Sequence, residues 1–299
     1  MPRRTLEEIY KLYVRPHLDY GDVLYHIPDK ESLKFDSIED NVHPLMAQIE
    51  SVQYEAALIV SGAWKGTSRT KIYADLGWES LYHRRGLRRL CLLFEVYING
   101  SPNYLKETLD KCRLKPTSRF VTERKLLNIP FRTNKFGLSF FPSTIKHWNS
   151  LDSKIKDSPN LKIFKKELIK RIRPKRKEYF GIDDKVGTRY ITLLRMGLSP
   201  LKRHKFDYNF QDTFDPVCIS GDGIEDTEHF LLQCTMFDQE RADLTHKLSG
   251  ITDGVFYTFP NKKKVNILLY GNNSVNVQKN GDILKSCINY IRETKRFDA

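Results

Sequence analysis

The sequence predicts a mostly α-helical protein, and three observations carry that prediction. Apolar residues return every three or four positions through most of the 299 residues, prolines and glycines punctuate the ends of those runs, and strand-type alternation is weak throughout. An apolar content of 40% is enough for a real core, and a charged fraction of 29% with both signs present suits an ordinary folded surface.

The elements follow in chain order. Leu6, Ile9, Tyr10 and Tyr13 are spaced for a helix, with Thr5 as its N-cap, Glu8 as the capping-box partner and Pro16 as its stop. A second helix is predicted over 46–62, with Ile49, Val52, Ala56, Ile59 and Val60 facing inward. A third covers 79–99: Leu87, Leu90, Leu93 and Phe94 form its apolar stripe, and Arg84, Arg85, Arg88 and Arg89 fall on another side. The stretch 101–142 carries Pro102, Pro116, Pro130 and Pro142 and reads as loop with short extended pieces. Ser143 is the expected cap of a short helix through His147 and Trp148. Pro159 opens and Pro174 stops a helix over 159–173. Further helices are predicted over 187–199, 227–247 and 282–294, the last after a Gly- and Asn-rich loop at 271–281. Charge and proline interrupt the apolar pattern at 173–187, so the expected organisation is a helical region over 1–150, a basic helix and linker over 151–186, and a smaller, mostly helical C-terminal region over 187–299.

The formal charge of +13 and a pI near 9.4 make a polyanion the expected macromolecular partner. Cys91, Cys112, Cys218, Cys234 and Cys287 are an odd, scattered set, which points to reduced thiols in the nucleus or cytoplasm rather than a disulfide framework. Cys91 and Cys287 sit among apolar neighbours and read as small buried hydrophobes. No secretory h-region opens the sequence, and no apolar run approaches the roughly 18 residues of a membrane span, so no membrane partner is expected. The abrupt helical opening suggests a piece of something larger.

Three places could carry chemistry. Two-metal polymerases and nucleases need convergent carboxylates, but Asp183 and Asp184 follow a cationic run without framing strands, and Tyr20-Gly21-Asp22 offers one aspartate. Neither supports catalysis, and no catalytic metal is expected. The segment from Cys218 to Cys234 is a metal-knuckle frame: Cys218, His229 and Cys234 supply three donors, while Ser220 stands where a second cysteine would close a tetrahedral site. Zinc at low occupancy is the expectation, with a water or His204 filling the fourth corner. Finally, nine basic residues face one acid between 162 and 177. With Leu161, Phe164, Leu168 and Ile172 as the apolar stripe, the cations Lys162, Lys165, Lys166, Lys170, Arg171, Arg173, Lys175, Arg176 and Lys177 are left to the remaining surface. That surface, with the Arg84–Arg89 cluster, is the candidate track for a phosphate backbone. A merely solvated charged face is the competing reading.

Several strings resemble one family. Leu12-Tyr13-Val14-Arg15-Pro16-His17-Leu18-Asp19-Tyr20-Gly21-Asp22 is similar to the segment after the palm in jockey-like and related non-LTR retrotransposon reverse transcriptases. Ser51-Val52-Gln53-Tyr54, Leu76-Gly77-Trp78-Glu79-Ser80-Leu81 and Arg84-Arg85 resemble the helical thumb, and Ser139-Phe140-Phe141-Pro142-Ser143-Thr144-Ile145-Lys146-His147-Trp148-Asn149 is a specific match. Leu193-Leu194-Arg195-Met196-Gly197-Leu198-Ser199, His204-Lys205-Phe206 and Asn209-Phe210-Gln211-Asp212-Thr213 look like the C-terminal region, Thr227 to Cys234 like the knuckle, and Lys295-Arg296-Phe297-Asp298 like the usual end. The resemblance implies a thumb-like bundle over 1–150 followed by a C-terminal region with a degenerate knuckle. It also implies a non-catalytic fragment of an RNA-directed DNA polymerase that contacts RNA or an RNA–DNA hybrid, since the polymerase's metal-binding aspartates cannot be placed on any residue. Ser220 departs from the family's second cysteine, and 37–49 reads as an insertion before the thumb helix. A helical protein-interaction remnant is the alternative.

Overall fold

The computed structural model describes residues 1–25, 44–113, 124–172, 182, 184–272 and 274–298. Helices dominate, and among the described residues the only β-pairing is two isolated bridges, Arg113 with Leu126 and Val217 with Ile224. None of the described helices is long and apolar enough to cross a membrane. The chain divides into two compact units: the first comprises Tyr10–Glu55 and Gly77–Lys175, the second Met1–Ile9, Ala56–Leu76 and Arg176–Ala299.

The first unit is built around the helix Leu81–Asn99, capped by the Ser80 hydroxyl accepting from His83 N and ended by Gly100 at φ 66°. Its stripe is as the periodicity predicts, with Leu87, Leu90, Leu93 and Phe94 buried. Against it pack Phe140–Ser150 and Leu161–Ile172, which bring Trp148, Phe164 and Leu168 into one core. Phe164 stacks on Phe94 at 4.3 Å between ring centroids, and Trp148 donates its indole N–H to Arg124 O at 2.7 Å. Phe140–Ser150 begins three residues before the expected Ser143: the N-cap is Ser139, and Ser143 is buried within the helix with its hydroxyl bonded back to Ser139 O. The proline-marked stretch also contains the unpredicted helix Asn103–Asp110.

Three further expectations are corrected. Thr5 lies inside Arg3–Ile9, and Pro16 does not stop a helix: a π-helical turn over Tyr10–Val14 leads into Arg15–Asp19, which carries the proline in its first turn. Pro44–Ser61 exposes Val52 and Ile59 and buries Met46, Glu50, Gln53, Ala57, Leu58 and Val60. The polar pair on that inner face is satisfied: Leu81 N donates to Glu50 Oε2 at 2.9 Å, and Tyr10 Oη to Gln53 Oε1 at 2.7 Å. Of the supposed insertion 37–49, positions 44–49 belong to this helix and the others lie outside the described residues.

In the second unit, Lys185–Met196 and Val277–Glu293 pack so closely that a Cβ on Gly187 would clash with Ile288 Cγ2. Asp184 caps the former through Gly187 N and pairs with Arg292 at 2.7 Å, so it holds a helix end; Asp183 lies outside the described residues. Thr227–Leu232 and Asp238–Thr252 replace the single helix expected over 227–247, and the unpredicted Asn261–Tyr270 completes the core of Phe230, Leu248, Leu268, Ile283 and Cys287. Arg195 and Asp75 form an ion pair at 2.9 Å with both side chains almost wholly buried.

Candidate functional sites

The arginines of Leu81–Asn99 were expected on an outer face, and the structure corrects this. Arg85 and Arg89 are buried, at 4% and 3% exposure. Arg84 forms ion pairs with Asp19 at 2.8 Å and Glu79 at 3.1 Å, and Arg88 with Asp19 at 3.1 Å and Asp22 at 2.9 Å. Arg85 donates to Leu18 O at 3.1 Å, while Arg89 donates to Ser143 Oγ at 2.8 Å and lies 5.4 Å from the Phe140 ring centroid. Burial lowers the Arg89 guanidinium to about 10. Asp19 and Asp22 of the string Arg15 to Asp22 thus pair with Arg84 and Arg88, while Arg85 and Arg89 are buried against neutral acceptors. The cluster is therefore not the outward-facing set of four cations that the sequence suggests.

The helix Leu161–Ile172 behaves as its sequence predicts where it is described. Phe164 and Leu168 are fully buried, Leu161 is half-buried, and Lys162, Lys165, Lys166, Lys170 and Arg171 are exposed. Lys170 pairs with Glu167 at 2.7 Å and Arg171 with Asp152, whereas Lys162, Lys165 and Lys166 form no salt bridge among the described residues. The short helix Ser153–Lys156 packs against it beside an open groove of about 550 Å³ lined by Lys125, Asn149, Asp152 and Lys154. Arg173, Lys175, Arg176 and Lys177 lie outside the described residues.

The knuckle is assembled by backbone bonds. Glu225 N donates to Pro216 O at 2.9 Å and Cys218 N to Gly223 O at 2.8 Å, closing a tight hairpin. Gly221 sits in it at φ 75°, a conformation that costs a side-chain-bearing residue and not glycine. Asp226 then caps Thr227–Leu232 by accepting from His229 N at 2.8 Å, and Cys234 N returns to His229 O at 2.8 Å, ending that helix. The result brings Cys218, Asp222, His229 and Cys234 together, with one ligand-type atom of each within 4.8 Å of all the others, and this group could hold a metal ion. Cys218, His229 and Cys234 are buried. Burial pushes the Cys234 thiol up, whereas the Ser220 hydroxyl and then Thr235 N hold the Asp222 carboxyl well below the usual carboxylate range.

Two expectations about this site change. The sequence offered three donors and an open corner at Ser220; the structure puts a fourth donor, Asp222, among them. His204 is engaged elsewhere, with Nδ1 2.7 Å from Ser199 Oγ and Nε2 3.4 Å from Thr227 Oγ1. Cys91 and Cys287 are not candidates for reaction, since burial raises their thiols to about 11 and about 12.

Sequence reasoning also missed what fastens the knuckle. Arg296 makes two bonds to buried Glu225, at 2.6 and 2.8 Å, and a third to Pro200 O at 3.0 Å. Phe297 packs on Phe230, and Asp298 accepts from Tyr190 Oη at 2.6 Å. The terminal motif is thus a strap over the hairpin base. The acid-rich run Asp222 to Glu228 was the available signal, because a carboxylate buried at a hairpin end requires a cation from somewhere. Compared with protein-family profiles, curated proteins and solved structures, the chain matches none of them.

Proposed function

We propose that this chain is the thumb and C-terminal region of a reverse transcriptase similar to those of jockey-like non-LTR retrotransposons, and that it contacts RNA or an RNA–DNA hybrid through the phosphate backbone without itself catalysing synthesis. The observation that supports the contact is the outer face of Leu161–Ile172, where Lys162, Lys165 and Lys166 are exposed while Phe164 and Leu168 anchor the helix in the core. Cations on a fixed helix follow phosphates without reading bases. The arginines of Leu81–Asn99 are left out of this reading, because Arg84 and Arg88 are held in ion pairs and Arg85 and Arg89 are buried.

Zinc is the ion this reading assigns to the knuckle. Two thiolates and an imidazole favour it, and in such a site the ion staples a loop to a helix rather than reacting. Cys218, His229 and Cys234 would hold it.

The test is salt dependence. Each phosphate contact releases condensed counterions, so replacing Lys162, Lys165 and Lys166 with glutamine flattens the log–log slope of affinity against salt by about 2 units and weakens unrelated RNA sequences almost equally. Titrations of single-stranded RNA and of an RNA–DNA hybrid across several salt concentrations measure it. An unchanged slope in a folded variant supports a protein-interaction role for this face instead.

A further inference from the structure

We infer that Asp222, and not Ser220, water or His204, is the fourth ligand of the knuckle, making a closed site of two cysteines, one histidine and one aspartate that holds a single zinc. This rests on the zinc reading above and goes one step further, to the identity of the fourth corner.

Two of the donor spacings match the edges of a tetrahedron, and all four donor atoms lie within 4.8 Å of one another. With Zn–S near 2.3 Å, two thiolates on one ion stand about 3.8 Å apart, and an imidazole nitrogen and a carboxylate oxygen at about 2.0 Å stand about 3.3 Å apart. Cys218 Sγ and Cys234 Sγ are 3.6 Å apart, and His229 Nε2 and Asp222 Oδ1 are 3.1 Å apart. The second pair does not read as an ordinary hydrogen bond. His229 Nε2 is buried on a side chain only 5% exposed, and it makes no hydrogen bond although a carboxylate oxygen lies within reach. Leaving a buried polar nitrogen so is costly unless something occupies the space before it.

Asp222 is held in place from outside the site. Oδ2 accepts from Thr235 N at 2.9 Å, just beyond Cys234, and Oδ1 accepts from the Ser220 hydroxyl. Ser220 therefore has a role of its own as a positioning residue, since it orients the carboxylate that takes the corner a cysteine would take. Outer-shell hydrogen bonds of this kind fix a ligand's direction. Gly223 clears the other side: a Cβ there would come within 3.2 Å of His229 Nδ1.

Zinc content of the purified full chain, affinity by chelator competition, and the visible absorption of the cobalt(II)-loaded protein test the assignment together. The wild type is expected to carry one zinc and to give the intense absorption of tetrahedral cobalt with thiolate ligands. Asp222→Ala should lose about 100-fold in affinity and Ser220→Ala about 10-fold, with helical circular dichroism as the control for folding. Asp222→Cys should restore tight binding, which separates loss of a ligand from loss of the loop. Ser220→Cys should add little, because its corner is already filled. Tight zinc in the wild type with unchanged affinity in Asp222→Ala overturns the assignment of Asp222. A wild type that takes no zinc overturns the zinc reading itself.

Discussion

His147 makes the stability of the first unit depend on pH in a way that can be calculated. It sits on Phe140–Ser150 next to Trp148, and burial lowers its imidazole from 6.5 to about 4, with the Arg89 and Lys146 cations pushing in the same direction. In the unfolded chain the ring protonates near 6.5; in the folded unit it stays neutral down to about 4. The unfolded state therefore binds more protons between those values, and stability falls as pH drops through that window. The contribution is complete above 6.5 and exhausted below about 4. At roughly 1.4 kcal/mol per pH unit the whole window is worth about 3 kcal/mol, of which about 2.5 kcal/mol is lost by pH 4.5. Carboxylates and His204 titrate over the same range, so the informative quantity is a difference between proteins. Urea unfolding followed by tryptophan fluorescence at pH 7.5 and 4.5, in the wild type and in His147→Gln, isolates it. The wild type should lose about 2.5 kcal/mol more than the variant on acidification. Equal losses in the two proteins would refute the argument.

Two other outcomes are expected. Asp75→Ala strands the Arg195 guanidinium in the core and should cost roughly 3–5 kcal/mol in thermal or denaturant unfolding, whereas the double change Asp75→Leu with Arg195→Met should cost much less. The purified chain should incorporate no nucleotides on a primed template with magnesium or manganese, because Asp22 and Asp184 are occupied by Arg88 and by a helix cap; template-dependent extension that persists after contaminating polymerase is removed would contradict this.

Local patterns were legible wherever the physics is local. The inward stripe of Leu87, Leu90, Leu93 and Phe94 and the burial of Phe164 and Leu168 follow from 3.6-residue spacing alone. The three knuckle donors are local too, their spacing set by one hairpin and one helical turn. Pro44–Ser61 misled because the strongest hydrophobes were read as the inner face, while Glu50 and Gln53 occupy it with their hydrogen bonds already made. A single buried helix end can outweigh an apolar stripe.

What the sequence determined by itself was helical character, the main core positions and a thiol-imidazole metal frame, since each depends on neighbours within a few residues. What only the tertiary structure decided was where the charges go. Arg84 meets Asp19 across 65 residues and Arg195 meets Asp75 across 120, and no local signal marks such partners. The same holds for Asp222, one acid in a run that includes Glu225, Asp226 and Glu228. Hairpin closure turns Asp222 toward the thiols, Glu225 toward Arg296 and Asp226 onto a helix end. Charges act through space over short distances, so their roles are set by the packing that fixes those distances.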